Sequence, residues 1–274
     1  MNRKPFLIFL HIEKAAGTTF HHILRNNIPY YMTLNNHKFF VKYDGVFSYK
    51  MFMKLIHFLP FMNGMGGHTV RRYENYEKYF KNRKPAYITF LREPVSRYLS
   101  HYNYQKLTMG INWDINSFMN EGKFNNFQTK KIAGKEDLDK AKEILSKQFD
   151  FIGLSEEFDL SLLLLQKTIP EVIKNISYSK RNVLSGKDNR VEKLNGFPEE
   201  IKQKIYEKNK LDIELYNFVK DNLFYPRIKE KLGLKNVNKP IDFGTNKPSL
   251  HNTTGLLNFA QKQVFERIIV PILY

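Results

Sequence analysis

The chain has 274 residues, enough for one α/β domain with a substantial core or for two small ones. Hydrophobic residues make up 42% of it and aromatic residues 15%, which excludes a globally disordered protein. Cysteine is absent, so disulfides, thiolate metal sites and a cysteine nucleophile are excluded. The formal net charge of +17 favours a polyanionic partner, although a solvated lysine-rich surface explains much of the excess. Nucleic acid is not the expected partner, because no zinc-finger spacing, basic zipper or aromatic RNA-binding signature is present.

The N-terminal segment begins with basic residues before an apolar run, as signal peptides do. The run is short, however, and leads to no small-residue cleavage site. No apolar stretch reaches the roughly 18 residues that a membrane-spanning helix needs. We therefore predict a cytoplasmic protein without a membrane span, and leave a peripheral membrane location and the oligomeric state open.

The first predicted element is a buried strand over residues 6–12. Its residues are apolar apart from His11, a pattern typical of the central strand of a parallel sheet. After a short turn, apolar residues recur at the helical spacing i, i+3, i+4, at Phe20, Ile23 and Leu24. We expect Thr18 or Thr19 to cap this helix.

The turn between this strand and helix is predicted to bind phosphate. It places Lys14, small residues and Gly17 before a helix N-terminus, where backbone N–H groups and the positive end of the helix dipole converge. A Walker A loop is excluded, because there the lysine directly precedes the hydroxyl residue, whereas Lys14 lies three residues before Gly17. This order disfavours a P-loop kinase-like enzyme. An ordinary strand–helix turn with an incidental lysine is the alternative.

Residues 27–66 are harder to interpret. Aromatic residues alternate there with lysine and asparagine, and we predict one or two helices that line a cleft. Residues 62–68 are predicted to form a loop, because three glycines in four residues favour neither helix nor strand. Such a loop would present His68 on flexible backbone.

A second strand and helix follow. Residues 86–91 are apolar apart from Thr89 and are followed by Arg92, and Pro94 suits the first helical position. One face of this helix is predicted to be buried through Val95, Tyr98, Leu99 and Tyr102. Ser96 and Ser100 lie on a neighbouring face. An arginine at the end of a strand and a serine two turns into the next helix can hold one phosphate from two sides.

Both motifs resemble the donor-binding motifs of sulfotransferases. The segment His11-Ile12-Glu13-Lys14-Ala15-Ala16-Gly17-Thr18 is similar to the 5′-phosphosulfate loop of the branch that includes the heparan-sulfate 2-O-sulfotransferases, roughly H-I-P-K-T-G-G-T. The 3′-phosphate motif is matched at Arg92, Pro94, Arg97, Ser100 and Tyr102. Weaker likenesses follow in family order at residues 125–129 (an N-x-Q-T element near the acceptor side), 149–156, 181–185 and 211–218. The resemblance implies a bacterial-type soluble member with a P-loop-like α/β fold, a three-layer sandwich whose central parallel sheet is flanked by helices.

The resemblance also implies a reaction. The enzyme would move the sulfuryl group of 3′-phosphoadenosine-5′-phosphosulfate to a saccharide or glycan hydroxyl and release adenosine 3′,5′-bisphosphate. Lys14 would stabilise the developing charge and His68, which matches the last histidine of the family's H-G-H element, would accept the acceptor's proton. The residues expected to bind the donor are Lys14, Ala15, Ala16, Gly17, Thr18, Thr19, Arg92 and Ser100.

The loop departs from the family pattern. Glu13 replaces a proline, and Ala15-Ala16 replaces a Thr-Gly pair. We expect Glu13 to be a surface residue, with pairing to Lys14 as the alternative, and both Glu13 and His11 remain alternative bases. No metal site is predicted, because the eight histidines include no H-x-x-x-H or H-x-H pair.

Three segments are expected along the chain: a sulfotransferase domain at residues 1–224, a loop or linker at 225–254 and a helical tail at 255–274. Basic residues from Arg71 to Lys84 directly follow His68 and predict a positive rim at the acceptor side, which favours an anionic acceptor. A non-catalytic basic module that binds acidic glycan or nucleic acid would explain the charge, but not two phosphate motifs.

Overall fold

The structure is a computed structural model that describes residues 4–34, 45–178 and 191–233. Five strands in these ranges form one sheet in the order β2-β3-β1-β4-β5, and all four neighbouring pairs are parallel. The strands are β1 (Phe6–Leu10), β2 (Tyr31–Thr33), β3 (Gly64–Gly67), β4 (Pro85–Leu91) and β5 (Phe151–Leu154). The predicted α/β class is confirmed, with β1 as the central strand.

Helices flank this sheet. In the described residues they are α1 (Gly17–Asn27), α2 (Tyr49–Phe58), α3 (Pro94–Leu107), α4 (Ile115–Asn120), α5 (Phe127–Ala133), α6 (Leu138–Gln148), α7 (Phe158–Thr168), α8 (Glu199–Lys208), α9 (Lys210–Val219) and α10 (Tyr225–Leu232). A π-helical turn, Lys220–Phe224, joins α9 to α10.

The central position of β1 follows from its sequence. All five of its side chains are fully buried, as expected for a strand with a neighbour on each edge and a layer on each face. The chain leaves β1 towards β2 on one side, and leaves β4 towards β5 on the other. The carboxyl ends of β1 and β4 therefore flank the point where the strand order reverses, which is where parallel α/β sheets bind ligands.

The predicted glycine-rich loop is wrong, because Gly64–Gly67 forms strand β3 between β1 and β2. The neighbouring strands fill the space that side chains would need. A Cβ atom on Gly66 would lie 2.3 Å from the Tyr31 hydroxyl and 2.6 Å from Cβ of Phe9. His68 therefore follows a buried strand and lies at the carboxyl edge of the sheet rather than on a flexible loop.

Residues 27–66, predicted as one or two helices lining a cleft, contain both a strand and a helix. The strand is β2 and the helix is α2, whose first turn is capped by Ser48 through a 3.3 Å bond from the Met51 N–H. Helix α2 packs on the core through Phe52 and Leu55, both fully buried. No residue of α2 lines the cleft that holds the site.

Helix α3 forms as predicted. Pro94 lies in its first turn, and the carboxylate of Glu93 caps it by accepting the N–H groups of Val95 and Ser96 at 3.1 and 2.7 Å. The predicted apolar face is buried in a second hydrophobic cluster with Phe118, Phe124 and Ile205 from later elements. This packing fixes the helix that carries the two serines.

The predicted start of the linker is wrong, because Tyr225–Leu232 is helical. Pro226 lies in the first turn, where it needs no intrahelical N–H partner, and Ile228 is buried against the core. The remaining residues of the predicted linker and the predicted tail lie outside the described residues.

Candidate active site

A cleft of about 1520 Å³ opens at the carboxyl edge of the sheet. Both sequence motifs contribute to it, since the loop after β1 and the start of α3 form part of its lining. Ala15 is buried and does not line the cleft. The other predicted site residues do, namely Lys14, Ala16, Gly17, Thr18, Thr19, His68, Arg92 and Ser100.

The loop after β1 turns through two residues with left-handed backbone conformations, Lys14 at φ 68° and Ala16 at φ 57°. Ala16 is the N-cap of α1, and no side chain caps the helix there. The predicted cap by Thr18 or Thr19 is therefore wrong, because the turn brings the chain into the helix at Gly17 and places both hydroxyls in the first turn. First-turn N–H groups of a helix point away from its body, here towards the cleft.

The ring of His11 packs directly on Gly17. A Cβ atom on Gly17 would lie 1.7 Å from Nε2 of His11, so no larger residue fits without moving the ring. The ring is held from behind, since Nδ1 of His11 is 3.2 Å from Nε2 of His21, and Nδ1 of His21 is 2.9 Å from the Tyr31 hydroxyl. Burial lowers the pKa of His11 well below its usual value, so this imidazole is neutral.

Lys14 and Arg92 bring the two motifs together. Nη1 of Arg92 donates to the carbonyl oxygen of Lys14 at 2.9 Å, and Nζ of Lys14 lies 4.2 Å from the centre of the Tyr104 ring. Burial, together with the charge of Arg92, lowers the pKa of Lys14 to about 8. Within the described part of the chain no carboxylate forms an ion pair with Lys14, and Arg92 has one long ion pair, with Glu156 at 3.9 Å, while the Glu93 carboxylate acts on it from farther away. The two cations are therefore poorly neutralised, and an anion between them would stabilise both.

The backbone of Arg92 is fixed from α5. The Gln128 amide accepts the Arg92 N–H at 3.0 Å and donates to the Arg92 carbonyl at 2.8 Å. Asp212 of α9 holds the start of α5 in turn, because its carboxylate accepts the N–H groups of Gln128 and Thr129 and the Thr129 hydroxyl at 2.8–2.9 Å. Gln128 is expected from the resemblance at the acceptor side, but its side-chain contacts are with the backbone of Arg92. Gln128 therefore positions the residue that follows strand β4.

The remaining residues of the second motif divide into two groups. Ser100 is half-buried and Ser96 exposed, and both line the cleft. Arg97 instead turns into the core, where it is fully buried, donates to the Phe124 carbonyl at 3.2 Å and lies 4.6 Å from the centre of the Phe127 ring. Arg97 is therefore a structural residue.

His68 lies between the loop and α5. Its ring centre is 4.0 Å from that of His11, and its Nδ1 is 3.5 Å from Oε1 of Glu13. Glu13 is neither a free surface residue nor paired with Lys14, because Nζ of Lys131 donates to both of its oxygens at 2.9 Å. Lys131 carried no sequence signal, since 118 residues separate it from Glu13.

The predicted positive rim beside His68 is not assembled. Arg71 does contact His68, donating to its carbonyl oxygen at 2.5 Å. Arg72, however, is buried, pairs with Glu77 at 2.9 Å and packs on the Tyr87 ring. Lys84 precedes β4 and so lies at the opposite edge of the sheet, where it pairs with Asp150 at 3.0 Å. Of these three basic residues only Arg71 is thus close to His68, because the chain runs from the cleft to the opposite edge of the sheet between residues 71 and 84.

Three further observations complete the site. Among the described residues, no group of three or more His, Asp or Glu side chains could hold a metal ion. No helix in the ranges that the structure covers is long and apolar enough to cross a membrane. Residues 181–185, whose likeness to the family predicts a loop on the nucleotide side, lie outside the described residues.

The cleft thus combines a helix N-terminus, two under-neutralised cations and a histidine at the switch point of a parallel sheet. The sequence model of the sulfotransferase family matches residues 1–219 of the chain, and this range contains all of these groups. A search of curated proteins gives no match to the chain. The chain therefore belongs to the sulfotransferase family, and its reaction class is sulfuryl transfer.

Proposed function

We propose that the chain transfers the sulfuryl group of 3′-phosphoadenosine-5′-phosphosulfate to a hydroxyl group of a saccharide or glycan. The observation that carries this proposal is the convergence of Lys14 and Arg92 beside the N-terminus of α1, without a carboxylate on Lys14 among the described residues. This donor carries phosphate groups on both the 3′ and the 5′ oxygen of adenosine, and so offers one anion to each of the two motifs.

The donor site has two parts. Lys14 and the first turn of α1 would hold the 5′-phosphate, because a helix N-terminus and a cation both favour negative charge there. Arg92 and Ser100 would hold the 3′-phosphate, the arginine through its planar fork and the serine through its hydroxyl. Gln128 supports this assignment by fixing the Arg92 backbone with two hydrogen bonds.

The chemical step requires a base and a charge stabiliser. His68 would take the proton of the acceptor hydroxyl as that oxygen bonds to sulfur, while the bond from sulfur to the 5′-phosphate oxygen breaks. Lys14 would neutralise the negative charge that develops on this leaving oxygen. Positioning and electrostatics supply most of the rate enhancement in such in-line transfers, as in phosphoryl transfer.

The acceptor is proposed from the resemblance and from the polar character of the cleft. Beyond His101 in the sequence, the lining of the cleft includes Tyr104 and Thr108, an aromatic ring that can pack against a sugar face and a hydroxyl that can hydrogen-bond a sugar hydroxyl. Of Arg71, Arg72 and Lys84, only Arg71 contacts His68, so we assign the pairing with an anionic acceptor beside His68 to Arg71.

Calorimetry with three nucleotides tests the donor. Adenosine 3′,5′-bisphosphate should bind about 10- to 150-fold more tightly than 5′-AMP, which corresponds to the roughly 1.5–3 kcal/mol of one charge-assisted contact. ATP should bind no better than 5′-AMP. Arg92→Ala should remove the difference, whereas Lys84→Ala, at the opposite edge of the sheet, should preserve it. Equal binding of all three nucleotides by the unmodified chain would refute the donor assignment.

Turnover with a labelled donor tests the acceptor. The panel should contain neutral oligosaccharides, uronic-acid-containing oligosaccharides and simple phenols. Transfer to saccharides is the expected result, and a preference for phenols would refute the proposed acceptor class. Arg71→Ala should raise KM for the acidic oligosaccharides alone if the acceptor is anionic.

A further inference from the structure

Lys131 joins two parts of the site that are distant in sequence. It projects from α5, is only 5% exposed, and donates to both carboxylate oxygens of Glu13 at 2.9 Å. The same ammonium group donates to the carbonyl oxygen of His68 at 2.5 Å. One buried cation therefore fixes both the loop after β1 and the residue that follows β3.

A buried lysine is costly unless its charge is compensated. Glu13 supplies part of that compensation: burial still lowers the pKa of Lys131 to about 8, while the attraction of Lys131 and His68 outweighs burial at Glu13 and lowers the pKa of Glu13 to about 2. Glu13 is thus an anion at any physiological pH. Its position is set by Lys131 on one side and by the loop backbone on the other.

The Glu13 anion faces one particular atom of His68. Nδ1 of His68 is buried and makes no hydrogen bond within the described residues, and Oε1 of Glu13 lies 3.5 Å from it. This separation is slightly longer than a hydrogen bond, so a small rotation of either side chain would close it. The ring is still 23% exposed and lines the cleft, and only Nδ1 of its two nitrogens is among the buried polar atoms without a partner, so we take Nε2 as the nitrogen that faces the cleft.

We propose that Glu13 and Lys131 are positioning residues for His68. This proposal rests on the proposed function, in which His68 is the base. Glu13 holds the proton of the neutral imidazole on Nδ1, which leaves the lone pair of Nε2 free to accept the proton of the acceptor hydroxyl. Lys131 fixes Glu13 and the His68 backbone in one arrangement. The glutamate that replaces the family's proline would thereby have a role in this chain.

Several charged and titratable groups surround His68 and affect its pKa. Burial lowers it, Glu13 and the backbone of His11 raise it, and Lys131 and Arg71 lower it. The imidazoles of His11, His21 and His101 also couple to His68. Removing the anion and removing the cation should therefore shift the pKa of His68 in opposite directions, a result that general loosening of the fold would not produce.

The experiment combines NMR and kinetics on the full chain. Nitrogen-15 spectra of the histidine rings, with His68→Gln to assign the signal, report the tautomer and pKa of His68 without any substrate. In the unmodified chain the neutral ring should carry its proton on Nδ1. Glu13→Gln should lower the pKa of His68 and disturb the tautomer, and Lys131→Met should raise the pKa. Lys130→Met is the matched control, on the same helix as Lys131; it removes a partly exposed pair with Glu136, which lies beyond that helix, and should change neither the pKa nor the tautomer.

Kinetics then test the consequence for catalysis. Glu13→Gln should lower kcat by about 10- to 100-fold, the usual cost of removing a group that orients a functional histidine. Calorimetry with adenosine 3′,5′-bisphosphate checks that each variant is folded with an intact donor site. An unchanged tautomer and pKa of His68 in Glu13→Gln would overturn the proposal, as would a normal kcat. If the unmodified chain transfers no sulfuryl group, the proposed function fails, while the NMR result still decides whether Glu13 and Lys131 position His68.

Discussion

Replacing Gly17 by alanine tests whether the packing of His11 determines the shape of the phosphate loop. The φ angle of Gly17 is not left-handed, so alanine introduces no backbone strain. Its added Cβ would meet three ring atoms of His11 at 1.7, 2.2 and 2.3 Å, all far inside contact distance. The ring cannot simply retreat, because its Nδ1 lies 3.2 Å from Nε2 of His21 and its centre lies 4.0 Å from that of the His68 ring.

The expected cost has two parts. Displacing the ring breaks its buried hydrogen bond with His21, which costs about 1–3 kcal/mol. Forcing an extra methyl group into a packed site costs about 1–3 kcal/mol more. We therefore expect Gly17→Ala to lower the free energy of unfolding by about 2–6 kcal/mol.

A double-mutant cycle isolates the contact. Urea unfolding followed by circular dichroism gives the free energy of unfolding for Gly17→Ala, His11→Ala and the double variant. Because His11→Ala removes the clashing ring, adding Gly17→Ala to it should cost no more than about 0.5 kcal/mol. Gly122→Ala, where an added Cβ meets nothing within 4 Å, is the control. Additive losses in the double variant, or a neutral Gly17→Ala, would refute the reasoning.

Three further predictions concern single side chains. Lys14→Ala should lower kcat by about 10²–10³-fold, measured by steady-state turnover. In the unmodified chain, calorimetry should show that nucleotide affinity falls as the pH rises through about 8, because Lys14 loses its charge there. Asp212→Ala should lower the free energy of unfolding in urea by more than about 3 kcal/mol, because three buried donors lose their acceptor at about 1–3 kcal/mol each; a loss below 1 kcal/mol would contradict this. Arg72→Ala should reduce the melting temperature without changing the acceptor KM, since Arg72 pairs with Glu77 and packs on Tyr87; an altered KM at unchanged stability would restore Arg72 to the acceptor site.

The elements that the sequence predicted correctly are those specified by local pattern. Strand β1 is a continuous apolar run, and α3 has both a proline in its first turn and apolar residues at helical spacing. Such signals reflect contacts that any parallel sheet or amphipathic helix makes. The α/β class and the central position of β1 follow from them.

The features that could not be predicted depend on neighbours distant in sequence. Strand β3 has little strand propensity of its own, and glycine fits there only because neighbouring strands pack closely on it, as Phe9 and Tyr31 do at Gly66 and the Leu34 backbone does at Gly67. Lys131 resembles any other lysine of a basic chain until the fold places it against Glu13. The roles of Lys14, His68, Arg92 and Ser100 stay predictions, because the structure gives their positions and not their chemistry.

The close packing on strand β3 has a consequence for mutational scanning of this chain. A scan scored by loss of activity would rank Gly66 with the catalytic groups, although it would touch neither donor nor acceptor. Any side chain there must displace the Tyr31 hydroxyl or Phe9, and so would act through the amount of folded protein. Scoring abundance alongside activity separates the two cases: Gly66 variants should lose both together, whereas Lys14 variants should lose activity at normal abundance.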